Sequence, residues 1–399
     1  MDSHLYKEVV IIGNGPSAIS LSYFLSGNWP YYNGIQNSFI PDYLHDKLHK
    51  NIIHPIVKQD LNYLGEGLEG RSPHRVSILM DILQHPGADT GEEMPSVLNW
   101  KFHPSEEIDH IVLGCGLPGG AWHKMEGSIL TLSMGSWMEL PNLKIKEWNE
   151  ERGNQIIPAF KDQRTTVSTV RQYYLDYVNN KNLKNNFINN FIVTNIEKNG
   201  KFWNVKGLSQ ENGEMLCFKT PRVVLATGNS DSPNHLCIKG EFYPFVMHSL
   251  TQLENLLKTE SSDTLGSHSL LIVGAGLSAA DAIIAARFHG LSILHVFRKD
   301  ILDPKLIFEK LPTNMYPEYH KVYQMMCSNL HNSNSYENYK SYPAHTVELI
   351  TSDGQGTYES TRFPGLYAMG PLVGDTFVRF VQGGALAITA NILKEKREE

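Results

Sequence analysis

Val9-Val10-Ile11-Ile12-Gly13-Asn14-Gly15-Pro16-Ser17-Ala18 is the stretch that decides how the chain is read. Four consecutive β-branched residues make a strand that is apolar on both faces, as strands inside a parallel sheet are. The run stops at Gly13, and residues 17–25 continue with helical spacing. A strand, a glycine turn and a helix in that order form a dinucleotide cradle. The first glycine permits the tight turn, and the second lets backbone approach a pyrophosphate. A small third residue, here Ala18, lets helix pack on strand. The helix N-terminus then presents unpaired N–H groups and a partial positive charge to the anion. Gly13, Gly15, Pro16, Ser17 and Ala18 are therefore candidate cofactor-binding residues.

The same grammar recurs far along the chain. An apolar strand at 270–273 runs into Gly274-Ala275-Gly276-Leu277-Ser278-Ala279, with a helix over 278–288 and a strand over 292–297. Chance duplication of the whole context is much rarer than one occurrence, so two turns imply two nucleotides. Gly274, Gly276, Leu277, Ser278 and Ala279 form the second candidate set. An NAD site would place an acid after the 292–297 strand, to accept from the ribose 2′-hydroxyl. Here Arg298 and Lys299 follow, and two cations suit the 2′-phosphate of NADPH. Asp300 and Asp303 stand close by and would dilute that field.

Length and composition set the frame. At 399 residues the chain suits two or three domains, and 41% hydrophobic with 10% aromatic residues support a core. A formal charge of -7 argues against nucleic acid or an anionic membrane as the main partner. The cysteines (Cys115, Cys217, Cys237, Cys327) show neither a C-x-x-C pair nor metal-ligand spacing, and read as reduced thiols of a cytoplasmic protein. No metal site is expected. No apolar run approaches the roughly 20 residues of a membrane-spanning helix. The first strand candidate begins at Glu8, which leaves no room for a signal peptide, so a soluble, intracellular protein is expected.

Residues 28–109, rich in Pro, Gly, Asn and His, read as a long insertion with some helix of its own near 76–83. Such an excursion suggests a lid, a binding surface or a mobile region, and a seat for substrate selectivity. An amphipathic helix is expected over 167–178, strands over 191–196 and 202–205 around Asn199-Gly200, and a strand over 222–228. Residues 328–342 are polar and read as a loop. A short strand at 365–369 and a helix from Gly383 into the charged tail close the chain.

Several long strings are more diagnostic than the glycine turns. They are residues 9–25, Leu64-Gly65-Glu66-Gly67-Leu68-Glu69-Gly70-Arg71-Ser72, and residues 118–126, 135–141, 316–327 and 370–380. Over nearly its whole length the chain resembles the flavin-dependent monooxygenases, and specifically the oxidative stress-induced growth inhibitor family. The resemblance implies an α/β fold of two Rossmann-like dinucleotide-binding domains, for FAD and NADPH, the second inserted in the first. Its boundaries would be 1–235 for the FAD domain with insertion 28–109, 236–345 for the NADPH domain, and 346–399 for the return. Gly13, Gly15 and Ala18 would hold the FAD pyrophosphate. Gly119, Gly120 and Trp122 match a G-G-x-W turn beside the flavin, and Thr227 and Gly228 a link between the domains. Gly374 and Asp375 match a late pair whose carboxylate contacts the FAD ribityl or pyrophosphate region. Residues 242–248 resemble F-x-G-x-x-x-H, which would match His248 with a residue gating NADPH; Pro244 stands in place of glycine and Gln252 in place of an aromatic, and a packed or solvated histidine is the alternative.

Two departures stand out. The strand at 111–113 runs into Gly114-Cys115-Gly116, without the acid expected for the FAD adenosine ribose. The stretch between His345 and Gly365 is short where relatives carry a second strand-glycine link, which predicts a gap in the sheet near the domain boundary. The implied activity is an NADPH- and FAD-dependent monooxygenase acting on a small-molecule or protein substrate with O2, tied to growth, cell death and cell division. The cofactor would carry the chemistry, so no acid, base or nucleophile is assigned. A disulfide reductase would need a C-x-x-C or C-x4-C pair, which is absent. A catalytically weak regulatory or scaffold protein that keeps the nucleotide-binding fold is the alternative, and both departures favour it.

Overall fold

The computed structural model describes residues 4–347 apart from 71, 91, 93, 126, 128, 154–163, 230–232, 239–240, 260–268, 312, 328–335 and 337, and beyond them Tyr367, Ala368, Leu386 and Leu393. The chain divides into two compact units, Met1–Asp231 with Phe363–Glu399, and Ser232–Arg362. The second unit therefore interrupts the first.

Val9–Ile12 lies in the middle of a parallel sheet, with Arg222–Leu225 on one side and His110–Leu113 on the other. Tyr367–Ala368 and Phe187–Ile188 complete it to five strands. All four residues of the central strand are buried, and their alternation assigns them to two cores. Val9 and Ile11 face one that includes the helix Pro16–Leu25. Val10 and Ile12 face Phe191, Val205 and Phe218. Those three belong to a second sheet ordered His4–Tyr6, Met215–Thr220, Phe202–Ser209, Phe191–Asn199. Its hairpin turns at Gly200, φ +62°, where the sequence places it. Regular structure begins at His4, ahead of the Glu8 expected from sequence.

Residues 28–109 correct the reading of a lid or mobile excursion. Asn28–Tyr32 pairs antiparallel with Leu98–Phe102, and the helices Asp42–Lys50, Leu61–Gly65 and Arg75–Gln84 fill the space between them in sequence. Trp29, Tyr32, Leu44, Leu48, Leu79 and Met80 are buried in the same core as Val9 and Ile11. The turn-forming residues around them hid these spaced apolar anchors. The long expected helix runs Val167–Asn180 and buries Tyr173, Tyr174 and Tyr177 completely. Their hydroxyls donate to the carbonyls of Leu143 (2.5 Å), Met138 (3.1 Å) and Pro141 (2.7 Å). One helix face thus donates to three carbonyls of residues 138–143, a segment that joins no sheet among the described residues. Leu386 and Leu393 join this core, and Tyr367–Ala368 pairs with Arg222–Leu225, so the C-terminal part returns to the first unit.

The second unit carries the parallel strands Ser269–Val273, Ser292–Phe297 and Tyr339–Pro343 with the helices Leu277–Phe288 and Pro317–Cys327. The polar loop expected over 328–342 is wrong at its end, because residues 339–343 pair with Ser292–Phe297. Tyr339 and Ser341 turn inward, and Ser341 Oγ donates to the Met326 carbonyl at 3.1 Å. The inward face is polar but hydrogen-bonded, so composition disguised the strand. The predicted sheet gap falls on residues 348–366, outside the described residues. Among the described residues no helix is long and apolar enough to cross a membrane.

His110 starts the strand beside Val9–Ile12 and is 2% exposed. Its Nδ1–H donates to the Ile108 carbonyl at 2.7 Å, so Nε2 accepts from the Ser22 hydroxyl at 2.8 Å. Burial pulls its pKa from 6.5 down to about 4. As pH falls through that window, the unfolded chain takes up a proton that folded His110 refuses. Stability is therefore full above pH 6.5 and declines by up to about 3 kcal/mol towards pH 4. His110→Gln should flatten the pH dependence of the urea midpoint over this window; a variant with the wild-type slope would place the acid sensitivity elsewhere.

Candidate functional site

The first glycine turn is tied to both neighbouring strands. Gly13 N–H donates to the Leu113 carbonyl at 2.8 Å, and Ala226 N–H donates to the Ile12 carbonyl at 2.8 Å. Gly13 sits at φ +105°, and a Cβ there would stand 2.3 Å from the Ala226 carbonyl oxygen. Gly15 caps the helix in extended conformation, with Pro16 next, where a missing N–H costs nothing. The first helical bond runs from Ile19 N–H to the Gly15 carbonyl, which leaves the N–H groups of Ser17 and Ala18 without intrahelical partners. A glycine cap has no side-chain oxygen to claim them. Among the described residues, a Cβ at Gly15 would meet nothing within 4 Å, so they leave open space at the positive end of the helix.

Gly119 and Gly120 are brought to this turn. Gly119 N–H donates to the Asn14 carbonyl at 2.9 Å, and a Cβ on Gly120 would lie 3.1 Å from Gly15 Cα. Trp122 is half-buried with its ring edge-on to Tyr174, at 6.0 Å between centroids. His123 donates from Nε2 to the Pro118 carbonyl at 2.8 Å and fixes the other side of the glycine pair. Burial lowers the pKa of His123. Thr227 is exposed and Gly228 has left-handed backbone, φ +66°, directly after Ala226. Gly374 and Asp375 lie outside the described residues.

The absent acid has a physical cause. A Cβ on Gly114 would lie 2.0 Å from Asn14 Nδ2, so the strand end beside the turn has no room for any side chain. Asn14 is 3% exposed, and its amide donates to the Gly116 carbonyl at 2.6 Å and to Asn189 Oδ1 at 3.3 Å. Asn14 was overlooked because the fingerprint leaves its position free.

The second turn repeats the first. Gly274 N–H donates to the Val296 carbonyl at 2.8 Å, and Gly276 caps the helix Leu277–Phe288 in extended conformation. Its first helical bond runs from Ala280 to Gly276, leaving Ser278 and Ala279 N–H without intrahelical partners. Cβ atoms on Gly274 and Gly276 would meet nothing within 4 Å among the described residues. Ala280 is fully buried, while Leu277 and Ala279 are half-buried and Ser278 is exposed. Buried His295 supports the turn: Nε2–H donates to the Gly274 carbonyl at 2.6 Å and Nδ1 accepts from Tyr339 at 2.8 Å. Burial lowers its pKa, which keeps the ring neutral. Its only sequence signal was a histidine inside an apolar strand.

Arg298 is exposed past the strand end, and its side chain has no hydrogen bond or ion pair among the described residues. Lys299 instead donates from Nζ to the Lys305 carbonyl at 2.6 Å. Asp300 and Asp303 accept from the backbone of Leu302 and Lys305, so both carboxylates are spent on their own turn. The four cysteines are free thiols. Both turns suit a dinucleotide on the same ground, since each leaves a side-chain-sized space before a helix N-terminus.

A family model described as pyridine nucleotide-disulphide oxidoreductase matches residues 139–363. The bacillithiol disulfide reductase of Bacillus cereus superimposes with a TM-score of 0.56 at 12% identity, over 98% of this chain and 99% of that one. The cadaverine monooxygenase DfoA of Erwinia amylovora, solved bound to FAD, gives 0.50 at 12% identity, over 98% and 94%. The architecture is thus that of the oxidoreductase flavoproteins, with two Rossmann-like domains. Human oxidative stress-induced growth inhibitor 1 is 38% identical over 466 positions, covering 97% of this chain and 95% of that protein. Human oxidative stress-induced growth inhibitor 2 is 37% identical over 491 positions. The chain belongs to the oxidative stress-induced growth inhibitor family. Both alignments are longer than the 399 residues here, so these relatives carry segments that this chain lacks.

The two glycines of the first turn separate folding from binding. Gly13→Ala must displace the Ala226 backbone, and its melting temperature should drop along with any bound flavin. Gly15→Ala fills only open space, so it should melt like wild type while retaining at least tenfold less FAD. A Gly15→Ala protein that holds flavin as well as wild type would remove the pyrophosphate from this turn.

Proposed function

We propose that this chain is an NADPH- and FAD-dependent oxidoreductase of the monooxygenase type, serving growth control under oxidative stress. The observation that carries the reading is the pair of strand-glycine-helix turns, each with free N–H groups and an open space where a side chain would be. When bound, FAD and NADPH supply the redox chemistry, with O2 and a small-molecule or protein substrate as co-reactants. Ser17 and Ala18 N–H would receive the FAD pyrophosphate, and Gly119 and Gly120 would keep the adjoining wall thin. Ser278 and Ala279 N–H would receive the pyrophosphate of NADPH, and Arg298 its 2′-phosphate. Free thiols support a reducing compartment such as the cytoplasm.

A catalytically weak regulator is the second reading, favoured by Gly114, packed against the Asn14 side chain, standing where the strand end would carry an acid. The visible absorption of purified protein and its NADPH consumption with added FAD separate the two. Flavin absorption with NADPH oxidation supports the enzyme; protein that stays colourless and idle supports the regulator. Arg298→Glu should lower kcat/KM for NADPH by at least tenfold and leave that for NADH nearly unchanged. An equal loss with both cofactors would move the phosphate contact off Arg298.

A further inference from the structure

Residues 235–248 gather two imidazoles and a carboxylate at one point within the second unit. The nitrogens of His235 and His248 and a carboxylate oxygen of Glu241 all lie within 4.8 Å of one another. Glu241 Oε1 is 3.1 Å from His248 Nε2 and 3.4 Å from His235 Nδ1. The spacing in sequence fits no metal motif, so only the fold brings the three together.

Glu241 is only 2% exposed, and it is held from behind. Leu236 N–H donates to Oε1 at 2.6 Å and Ile238 N–H to Oε2 at 3.3 Å. Burial raises its pKa, but these and other hydrogen bonds outweigh that and hold the carboxyl below its usual value. The left-handed backbone of Cys237, φ +51°, turns the chain tightly around it. The imidazoles lie with centroids 4.6 Å apart and planes tilted by 56°, and Phe242 lies beside both.

Hydrogen bonding alone leaves this cluster incomplete. His235 Nδ1 is buried and has no hydrogen bond of good geometry. A buried nitrogen that meets its carboxylate at 3.4 Å without good hydrogen-bond geometry is costly, and a cation shared by the three groups removes that cost. Bonds of about 2.0–2.1 Å in a tetrahedral zinc site put ligand atoms roughly 3.3 Å apart. The two separations from Glu241 Oε1 bracket that value. Two imidazoles and one carboxylate form a zinc donor set whose fourth position is filled by water. The His235 and His248 side chains are 32% and 18% exposed, which leaves that position access to solvent.

We propose that His235, Glu241 and His248 bind one divalent cation of the zinc class, clipping residues 235–248 ahead of the helix Leu250–Thr259. The cluster takes up His248, the histidine that the resemblance matches with a residue gating NADPH, but the binding of a cation stands whether or not the protein turns over NADPH.

The test is calorimetric titration of chelator-treated, full-length protein with Zn2+, paired with Co2+ uptake followed by visible absorption. We expect one equivalent of Zn2+ and a tetrahedral Co2+ spectrum. His235→Ala and His248→Ala should each weaken binding at least tenfold, and Glu241→Gln should do the same. His49→Ala should bind as wild type does; that ring stacks on His45, the rival chelating pair on the helix Asp42–Lys50. Wild-type protein that takes up no stoichiometric Zn2+ overturns the proposal, and so does undiminished binding in both loop histidine variants. The wild-type titration and cobalt spectrum decide the matter even if a variant folds poorly.

Discussion

The Ala226 carbonyl oxygen lies 2.3 Å from the point where a Cβ on Gly13 would stand, and the first unit is organised around that contact. Ile12 and Leu225 are paired partners in the parallel sheet, so the two chains leave it side by side. One of them must turn at once into a helix, and it can do so only by passing over the other's backbone. A residue without a side chain, at φ +105°, makes the crossing. The bonds from Gly13 to Leu113 and from Ala226 to Ile12 then fix the turn to both neighbours. The direction of the helix Pro16–Leu25, and of its free N–H groups, follows from the sheet rather than from the helix itself.

The second unit reaches the same geometry with different support. A Cβ on Gly274 would meet nothing within 4 Å, so steric exclusion does not select glycine there; the backbone at φ +117° does. The turn is held instead by a side chain, as His295 links the Gly274 carbonyl to Tyr339 on the next strand. The polar strand Tyr339–Pro343 therefore has a task beyond completing the sheet. Its tyrosine orients the neutral imidazole that holds the turn, which explains a histidine and a tyrosine buried in positions that otherwise favour apolar residues.

What the sequence shows and hides follows from this. The run Val9 to Ile12 was legible because a buried parallel strand has no polar face to confuse the pattern, and Ser292 to Phe297 because most of its residues are apolar. The glycines were legible because their conformations leave few alternatives. The strand at Tyr339 was not, since its buried side is polar and depends on partners from distant segments, Met326 and His295. Residues 28–109 misled for the opposite reason. Pro, Gly and Asn correctly marked many turns there, but turn density does not show whether Trp29, Leu44 and Leu79 share one core. Side-chain clusters assembled across a loop, such as His235, Glu241 and His248, leave no periodic trace at all.

Asn14 shows how one residue of the fingerprint reshapes the recognition around it. Its amide spends both donors on the Gly116 carbonyl and on Asn189, locking the strand end that in an NAD-type site would present a carboxylate. Gly114 is then forced, because any side chain there would collide with that amide. The absence of an acid at Gly114 and the packing of Asn14 thus have one steric cause. On the reading proposed above, the adenosine ribose finds no carboxylate at Gly114. Recognition shifts to the pyrophosphate, which meets the Ser17 and Ala18 N–H groups, and to the thin wall of Gly119 and Gly120. A site built this way discriminates by the shape and charge of the diphosphate more than by the sugar. It would hold its nucleotide by backbone groups that depend, through Gly13 and Ala226, on the integrity of the whole sheet.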